Sequence, residues 1–390
     1  MKKVLISIVA MFLFFCMLPL AGNAYYCKAE NQSNVNQDLQ NLEIKAKACV
    51  LMDKKSGRVL VSMNKDTKLP MASMTKMMVL DIVMDQIDTG RLGINHEIMV
   101  SDFAASMGGS QCFLDAGKNY SIYELIKSVV VASANDSTVA LAEAVSGSEK
   151  VFVEKMNLRA KELGMNNTHF VNSTGLDEAG HVSTAHDMAI MMREVSKHEL
   201  LSDLSKVWMY DMKHSGGRVT KLTNTNRLIK SNPDVVFAKT GHTDDAGFCI
   251  TAYATRDGEE LIACVMGEST SPLRFLDCTK LLSFGFTNFE NRSVVDKNKV
   301  VGEASVSGAN IKEVELYPTE DFYYLLKNGE DFSVASEIKM TRDVVAPIES
   351  QEIVGELVVT VNGENYSIPL EIREQIPEIK FSDIVKKLMK

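Results

Sequence analysis

Cysteine, histidine and net positive charge are all in short supply here, and each shortage removes a class of protein. Seven cysteines are spread over 390 residues with no Cys-x-x-Cys pair, so the chain is neither a disulfide scaffold nor a dithiol redox protein. Cys249 and Cys264 flank a predicted hairpin turn at Arg256-Asp257-Gly258, yet they are expected to be small buried hydrophobes rather than a bridge. The seven histidines are scattered. His181 and His186 lack the frame of a zinc peptidase, and no metal or cofactor is expected. A formal charge of −9 repels phosphate backbones, which argues against nucleic acid as a partner. Internal repeats are absent. Hydrophobic residues make up 45% and charged residues 24%, which excludes wholesale disorder and leaves enough apolar material for two or three domains.

The one long apolar run lies at the start. Lys2 and Lys3 precede Val4 to Leu20, and Gly22-Asn23-Ala24 ends the run with small residues. This is the pattern of an export signal cleaved after residue 24, and the run is near the lower limit for spanning a bilayer. Residues 25–44 form a polar, flexible lead-in. From there the pattern is strand, turn, strand (Ala48 to Met52, Lys54 to Gly57, Val59 to Val61), then helices from about Ala72, over Ile122 to Ala144 and over Val151 to Leu163. Strands return at Phe248 to Ala254 and Leu261 to Met266, followed by a helix over Leu276 to Phe284. Strands at both ends enclosing helices predict an α+β domain with an antiparallel sheet and a helical subdomain, over residues 45–288. Residues 289–374 alternate apolar and polar over short segments, with Asn362-Gly363 as a strong hairpin turn, and predict a small all-β domain. In residues 375–390, Phe381, Ile384, Val385 and Leu388 form a helical stripe with lysines off it, the pattern of a short basic amphipathic helix able to make peripheral membrane contact.

Three short motifs carry chemistry when taken together. In Ser73-Met74-Thr75-Lys76, a helix beginning near Ser73 places the lysine amine beside the serine hydroxyl. Serine needs a base to become a nucleophile, and a buried, uncharged lysine can serve. Ser133-Ala134-Asn135 supplies a hydroxyl that could relay a proton and an amide that could hold the lysine or a peptide group. Lys239-Thr240-Gly241 leads into a strand, where a cation and a hydroxyl can grip a carboxylate and a glycine lets a substrate backbone approach. Singly, these are an ordinary helix start, a cap and a turn; the set in this order is what penicillin-binding proteins and class A β-lactamases share.

The chain resembles the low-molecular-mass D-alanyl-D-alanine carboxypeptidases, serine peptidase family S11, over roughly residues 45–375. Besides the three motifs, the likeness is carried by Asn172 with Gly175-Leu176-Asp177, by Ser183 to Ala189, by His242-Thr243 with Ala246-Gly247, and by Arg274 ahead of Lys280-Leu281-Leu282 and Gly285-Phe286. It implies a penicillin-binding/β-lactamase-like domain followed by a β domain. It also implies a substrate, peptidoglycan stem peptides ending in D-Ala-D-Ala, and inhibition by β-lactams that acylate the serine outside the cytoplasm. By the same likeness Ser73 attacks, Lys76 takes its proton, and Ser133 passes a proton to the departing D-alanine. Asn135 and Lys239 orient the network, Thr240 and Arg274 hold the terminal carboxylate, and the backbone amides of Ser73 and His242 form the oxyanion hole. Two departures stand out. Phe237-Ala238 precede the Lys239 motif where relatives often have a glycine, and Asn224-Thr225-Asn226 has threonine where some relatives carry arginine. A class A β-lactamase would need an Asp in place of Ala134 and a Glu-x-x-x-Asn loop that activates the deacylating water. A D,D-endopeptidase of the same family and a non-hydrolytic penicillin sensor remain as alternatives.

Overall fold

The computed structural model describes residues 42–380. The export signal, most of the lead-in, Cys27 and the amphipathic stripe from Phe381 onward lie outside the described residues. Among the described residues no helix is long and apolar enough to cross a membrane.

A five-stranded antiparallel sheet organises the larger domain, in the order β2 (Val59–Met63), β1 (Ala48–Asp53), β5 (Glu259–Glu268), β4 (Gly247–Arg256), β3 (Val235–Thr243). Because side chains alternate across a strand, β1 sends Ala48, Val50 and Met52 to one face and Cys49 and Leu51 to the other. Both faces are covered, which is why β1 reads as one continuous apolar run. On the first face pack the helices α1 (Lys76–Asp88), α2 (Ile122–Ala132), α3 (Asn135–Ser146), α4 (Glu149–Glu162) and α5 (Ala185–Val195). On the second lies α6 (Ser271–Asn288), through Cys278, Leu281 and Leu282. This last helix is longer than the periodicity over Leu276 to Phe284 suggested, since Thr270 is its N-cap and a proline stands in its first turn.

The turn joining β4 and β5 has Asp257 at φ 50° and Gly258 at φ 84°, the two left-handed residues of a type I′ hairpin. Cys249 and Cys264 are both buried and free. They do not face each other, because Cys264 lies opposite Thr251 while Cys249 falls in a register shift between Phe248 and Ile250. Phe237 and Ala238, where relatives often have glycine, pack into opposite cores, above and below the sheet.

A strand starts at Phe289 directly after α6. The following residues form a six-stranded sheet and a two-stranded ribbon around their own core of Leu316, Val359, Val361, Leu370 and neighbours. Asn362 (φ 49°) and Gly363 (φ 86°) make the hairpin between the two longest strands there. The two domains are joined by a buried contact in which Arg58 Nη1 donates to the Leu325 carbonyl at 2.8 Å.

Candidate active site

The edge strand β3 runs past a single turn of 3₁₀ helix, Ala72–Thr75, which feeds into α1. The sequence pattern predicts a helix here. The structure makes its first turn 3₁₀, and in that geometry residues i and i+3 eclipse. Lys76 therefore lies directly over Ser73, with Nζ 2.8 Å from Oγ. Strand and turn are in close contact at Gly241. A β-carbon there would lie 2.8 Å from the Met71 carbonyl oxygen and 3.2 Å from the Ser73 amide nitrogen.

Lys76 is completely buried. Its second contact is the Thr174 carbonyl, at 2.6 Å. Burial and then the charge of Lys239 hold its amine well below the usual lysine range. An uncharged amine has one lone pair and two hydrogens; it can accept the Ser73 proton while still donating to Thr174 O.

Ser133 sits between α2 and α3 in the left-handed conformation, φ 61° and ψ 35°, a strained state for a residue with a β-carbon. Its hydroxyl accepts from Lys239 Nζ at 2.8 Å. Lys239 is buried, donates also to the Thr240 carbonyl, and has its pKa lowered to about 7 by burial and by the charge of Arg274. Asn135 begins α3. Its Nδ2 donates to Gly108 O at 2.7 Å, while its buried Oδ1 has no partner among the described residues. Ser73–Lys76 and Ser133–Lys239 thus form two hydrogen-bonded pairs, close enough for the charge of Lys239 to act on the Lys76 amine, with Asn135 two residues beyond Ser133. Thr240 Oγ1 donates to Thr225 Oγ1 at 2.9 Å. His242 is exposed, with its ring stacked 4.0 Å over Phe248.

Arg274 is placed differently from the other polar candidates. It lies on α6, nearly buried, and Nη1 donates to the backbone carbonyls of Gly241 (2.8 Å) and Cys249 (3.4 Å). It braces β3 from behind.

Several residues to which the sequence assigned no role in the reaction hold this geometry. Ala72, just before the nucleophile, has φ 48°. His181 and Thr75 fix that turn. The Val171 amide donates to His181 Nδ1 at 3.0 Å, so the ring hydrogen is on Nε2 and donates to Thr75 Oγ1 at 2.7 Å, which in turn donates to Ala72 O at 2.8 Å. Burial pushes the His181 pKa down to about 4, which keeps this neutral tautomer. Asn172 Oδ1 accepts from the amides of Thr174 and Gly175, fixing the carbonyl on which Lys76 rests. Asp187 accepts from Asn167 N and Thr168 Oγ1, anchoring the segment beneath. Asp136 receives the amides of Cys112 and Leu114, tying that loop to the base of α3. A histidine 106 residues from its threonine partner leaves no local trace in the sequence. An Asn three residues before a Gly did leave one, the signature of a side-chain-closed turn.

Comparison with known proteins adds a family to this arrangement. The model of the family "D-alanyl-D-alanine carboxypeptidase", peptidase family S11, matches residues 32–270, and that of the C-terminal domain of penicillin-binding protein 5 matches residues 289–376. The chain is 39% identical over 346 residues to the D-alanyl-D-alanine carboxypeptidase DacF of Bacillus subtilis, covering 88% of this chain and 89% of that protein. It is 31% identical to DacC of Escherichia coli, covering 92% and 91%. Among solved structures, penicillin-binding protein 5 of Haemophilus influenzae superposes with a TM-score of 0.73 at 30% identity, covering 86% of this chain and 98% of that one.

Proposed function

The chain belongs to the D-alanyl-D-alanine carboxypeptidases of serine peptidase family S11, and from that premise we propose that its reaction runs through an acyl-enzyme on Ser73. The family removes the terminal D-alanine of peptidoglycan stem peptides and is bound by β-lactams. The assignment of roles rests on one observation: a wholly buried amine, poised to be uncharged, 2.8 Å from the Ser73 hydroxyl.

In the first half-reaction Lys76 accepts the Ser73 proton as Oγ bonds to the carbonyl carbon between the two D-alanines. The carbonyl oxygen gains charge and is held by the backbone amides of Ser73 and His242, donors worth roughly 3–4 kcal/mol each in acyl transfer. Collapse breaks the C–N bond. The departing nitrogen takes a proton from the Ser133 hydroxyl, which is replenished by the proton Lys76 took from Ser73, so that Lys76 is neutral again as free D-alanine leaves. Water, giving its proton to Lys76, then attacks the ester and restores Ser73. Lys239, as a cation next to both Ser133 and Thr240, orients the relay and favours the substrate carboxylate. Thr240 meets that carboxylate, with Arg274 contributing its charge from behind the strand. Asn135, with its free Oδ1, is the acceptor for the substrate's peptide N–H or for Lys76. A β-lactam enters the same path but leaves no departing amine, so its adduct clears slowly.

Export after residue 24, action outside the cytoplasm, and peripheral membrane attachment through the basic stripe at 381–388 complete the reading. They are supported by the sequence patterns and by the extracytoplasmic substrate of the family. Intact mass after incubation with penicillin, followed by peptide mapping, tests the site. The adduct belongs on the peptide containing Ser73. Ser73→Ala should abolish both the adduct and D-alanine release from a D-Ala-D-Ala pentapeptide. An adduct that persists in Ser73→Ala places the nucleophile elsewhere, and an adduct without D-alanine release in the wild type makes the protein a sensor.

A further inference from the structure

Among the described residues the Lys76 amine has two hydrogen-bond contacts, the Ser73 hydroxyl and the Thr174 carbonyl. The second contact aims the first. An amine that donates to a fixed carbonyl has its lone pair turned to a definite place, and the ammonium formed when it takes the Ser73 proton is stabilised by the same oxygen. What fixes Thr174 O therefore matters to the reaction. Within the loop, Asn172 Oδ1 accepts from the Thr174 and Gly175 amides. Those bonds shape the turn but do not tie it to the helices around it.

The tie comes from a residue whose sequence context is only that of a helix start. Glu149 stands in the first turn of α4, directly after the N-cap Ser148, where an acidic residue ordinarily complements the helix dipole. Its carboxylate instead reaches a serine 24 residues on. Oε1 accepts from the Ser173 amide at 3.0 Å and from the Ser173 hydroxyl at 2.6 Å. Ser173 is completely buried, so losing this acceptor would leave two buried donors unmet. The same helix holds the segment a second time, since Asn157 donates to Phe170 O and accepts from the Phe170 amide. And α4 is fixed to α1, the helix that Lys76 begins, because Arg159 Nε donates to the buried Asp81 carboxylate at 3.0 Å. The contacts close a ring. It runs from Lys76 along α1 to Asp81, through Arg159 into α4, and through Glu149 and Ser173 back to the Thr174 carbonyl.

We propose that Glu149 is a positioning residue for the reaction: by gripping Ser173 it holds the Thr174 carbonyl where that oxygen orients the Lys76 amine toward Ser73. It acts on the reacting groups only through Ser173 and Thr174. The proposal rests on the Ser73 acyl-enzyme reading and adds to it the helix that keeps the base aimed.

The test follows acylation by a fluorescent penicillin at rising concentration, with rates normalised to folded protein, so that the limiting rate and the half-saturating concentration are read separately. Labelling of the wild type on the Ser73 peptide is the separate check on the underlying reading, which fails without it whatever the variants do. Glu149→Ala is expected to lose about tenfold or more in limiting rate, because displacing a reacting group by about 1 Å costs on the order of 100-fold. Its half-saturating concentration should change by less than about twofold. Loosening an acceptor of the ammonium also lowers the pH at which Lys76 gives up its proton, so the acid limb of the rate should move to lower pH. The other charges acting on Lys76, Lys239 on β3 and Asp136 on α3, are untouched. Glu149→Gln keeps an oxygen able to accept from both Ser173 donors and should recover most of the rate. Glu154→Ala, exposed further along α4, removes the same charge and should behave as the wild type. An undiminished limiting rate in Glu149→Ala, a loss confined to its half-saturating concentration, an unmoved acid limb, or a Glu149→Gln as slow as Glu149→Ala would each overturn the proposal. If Glu149→Ala does not fold, Ser173→Ala decides, since it gives up only the hydroxyl contact: a slower limiting rate supports the proposal, and a rate and pH profile equal to those of the wild type overturn it.

Discussion

Replacing Gly175 by alanine should damage catalysis from a position that touches no substrate. Gly175 has φ 83°, and a β-carbon there would lie 2.0 Å from the Ala72 carbonyl oxygen and 2.9 Å from the Ser73 amide nitrogen. The left-handed backbone alone costs an L-residue roughly 1–2 kcal/mol. The contact adds to this, because the obstructing atoms are backbone and cannot swing aside; overpacking of this kind costs about 1–3 kcal/mol or more. A total of roughly 2–5 kcal/mol follows, a large part of the stability of an ordinary domain. Gly147 supplies the control. Its φ is 77°, but nothing lies within 4 Å of a β-carbon built there, so Gly147→Ala should cost only the roughly 1–2 kcal/mol backbone term. The difference between the two variants measures the close approach. Relief at Gly175 must move either the turn carrying Ser73 or the Thr174 carbonyl that holds Lys76, and displacement of a reacting group by about 1 Å costs on the order of 100-fold in rate. Urea unfolding gives the stabilities, and the rate of covalent labelling by a fluorescent penicillin, normalised to folded protein, gives the chemistry. If Gly175→Ala matches Gly147→Ala in stability and labels at the wild-type rate, the packing of this loop against the nucleophile turn is wrong.

Two pH experiments address the buried groups. Lys239 is held at about 7 by burial and then by Arg274, so Arg274→Gln should move the alkaline limb of the acylation profile to higher pH; a limb that stays put or moves down contradicts the assignment. His181 titrates at about 4 when folded against 6.5 when free. The unfolded chain thus takes up its proton first, and the stability this residue contributes is complete above pH 6.5 and lost as pH falls toward 4, a loss of roughly 3 kcal/mol. Glu268, raised to about 7 by burial and by Asp277, acts in the opposite sense over the same range. The informative quantity is therefore the difference in unfolding free energy between wild type and His181→Gln from pH 7 to pH 4; a difference independent of pH would mean that His181 is not held neutral.

Two of the eight non-glycine residues with positive φ among the described residues lie at the site. Ala72 and Ser133 both adopt positive φ without being glycine, and each adjoins or is a reacting group. Such conformations cost about 1–3 kcal/mol and persist only where the surroundings enforce them. Here the enforcement is visible, from His181 and Thr75 on one side and from the Lys239 contact with Ser133 on the other.

The alternation of β1, the Asp257-Gly258 and Asn362-Gly363 turns, the helical stretches and the three short candidate motifs could all be read directly, because each rests on neighbours within a few residues. So could the change of architecture near Phe289, where the helical period gives way to a period of two. Local pattern did not reveal that the first turn under Ser73 is 3₁₀, that Cys249 and Cys264 are out of register, or that Arg274 braces the back of β3. The chain by itself determined which chemistry is available, since hydroxyls, amines and their order along it are covalent facts. Only the folded packing decided which amine is pushed furthest toward its uncharged form and which guanidinium braces a strand. Desolvation and the competition for backbone carbonyls are properties of the space around a side chain, and that space is built by residues more than a hundred positions away.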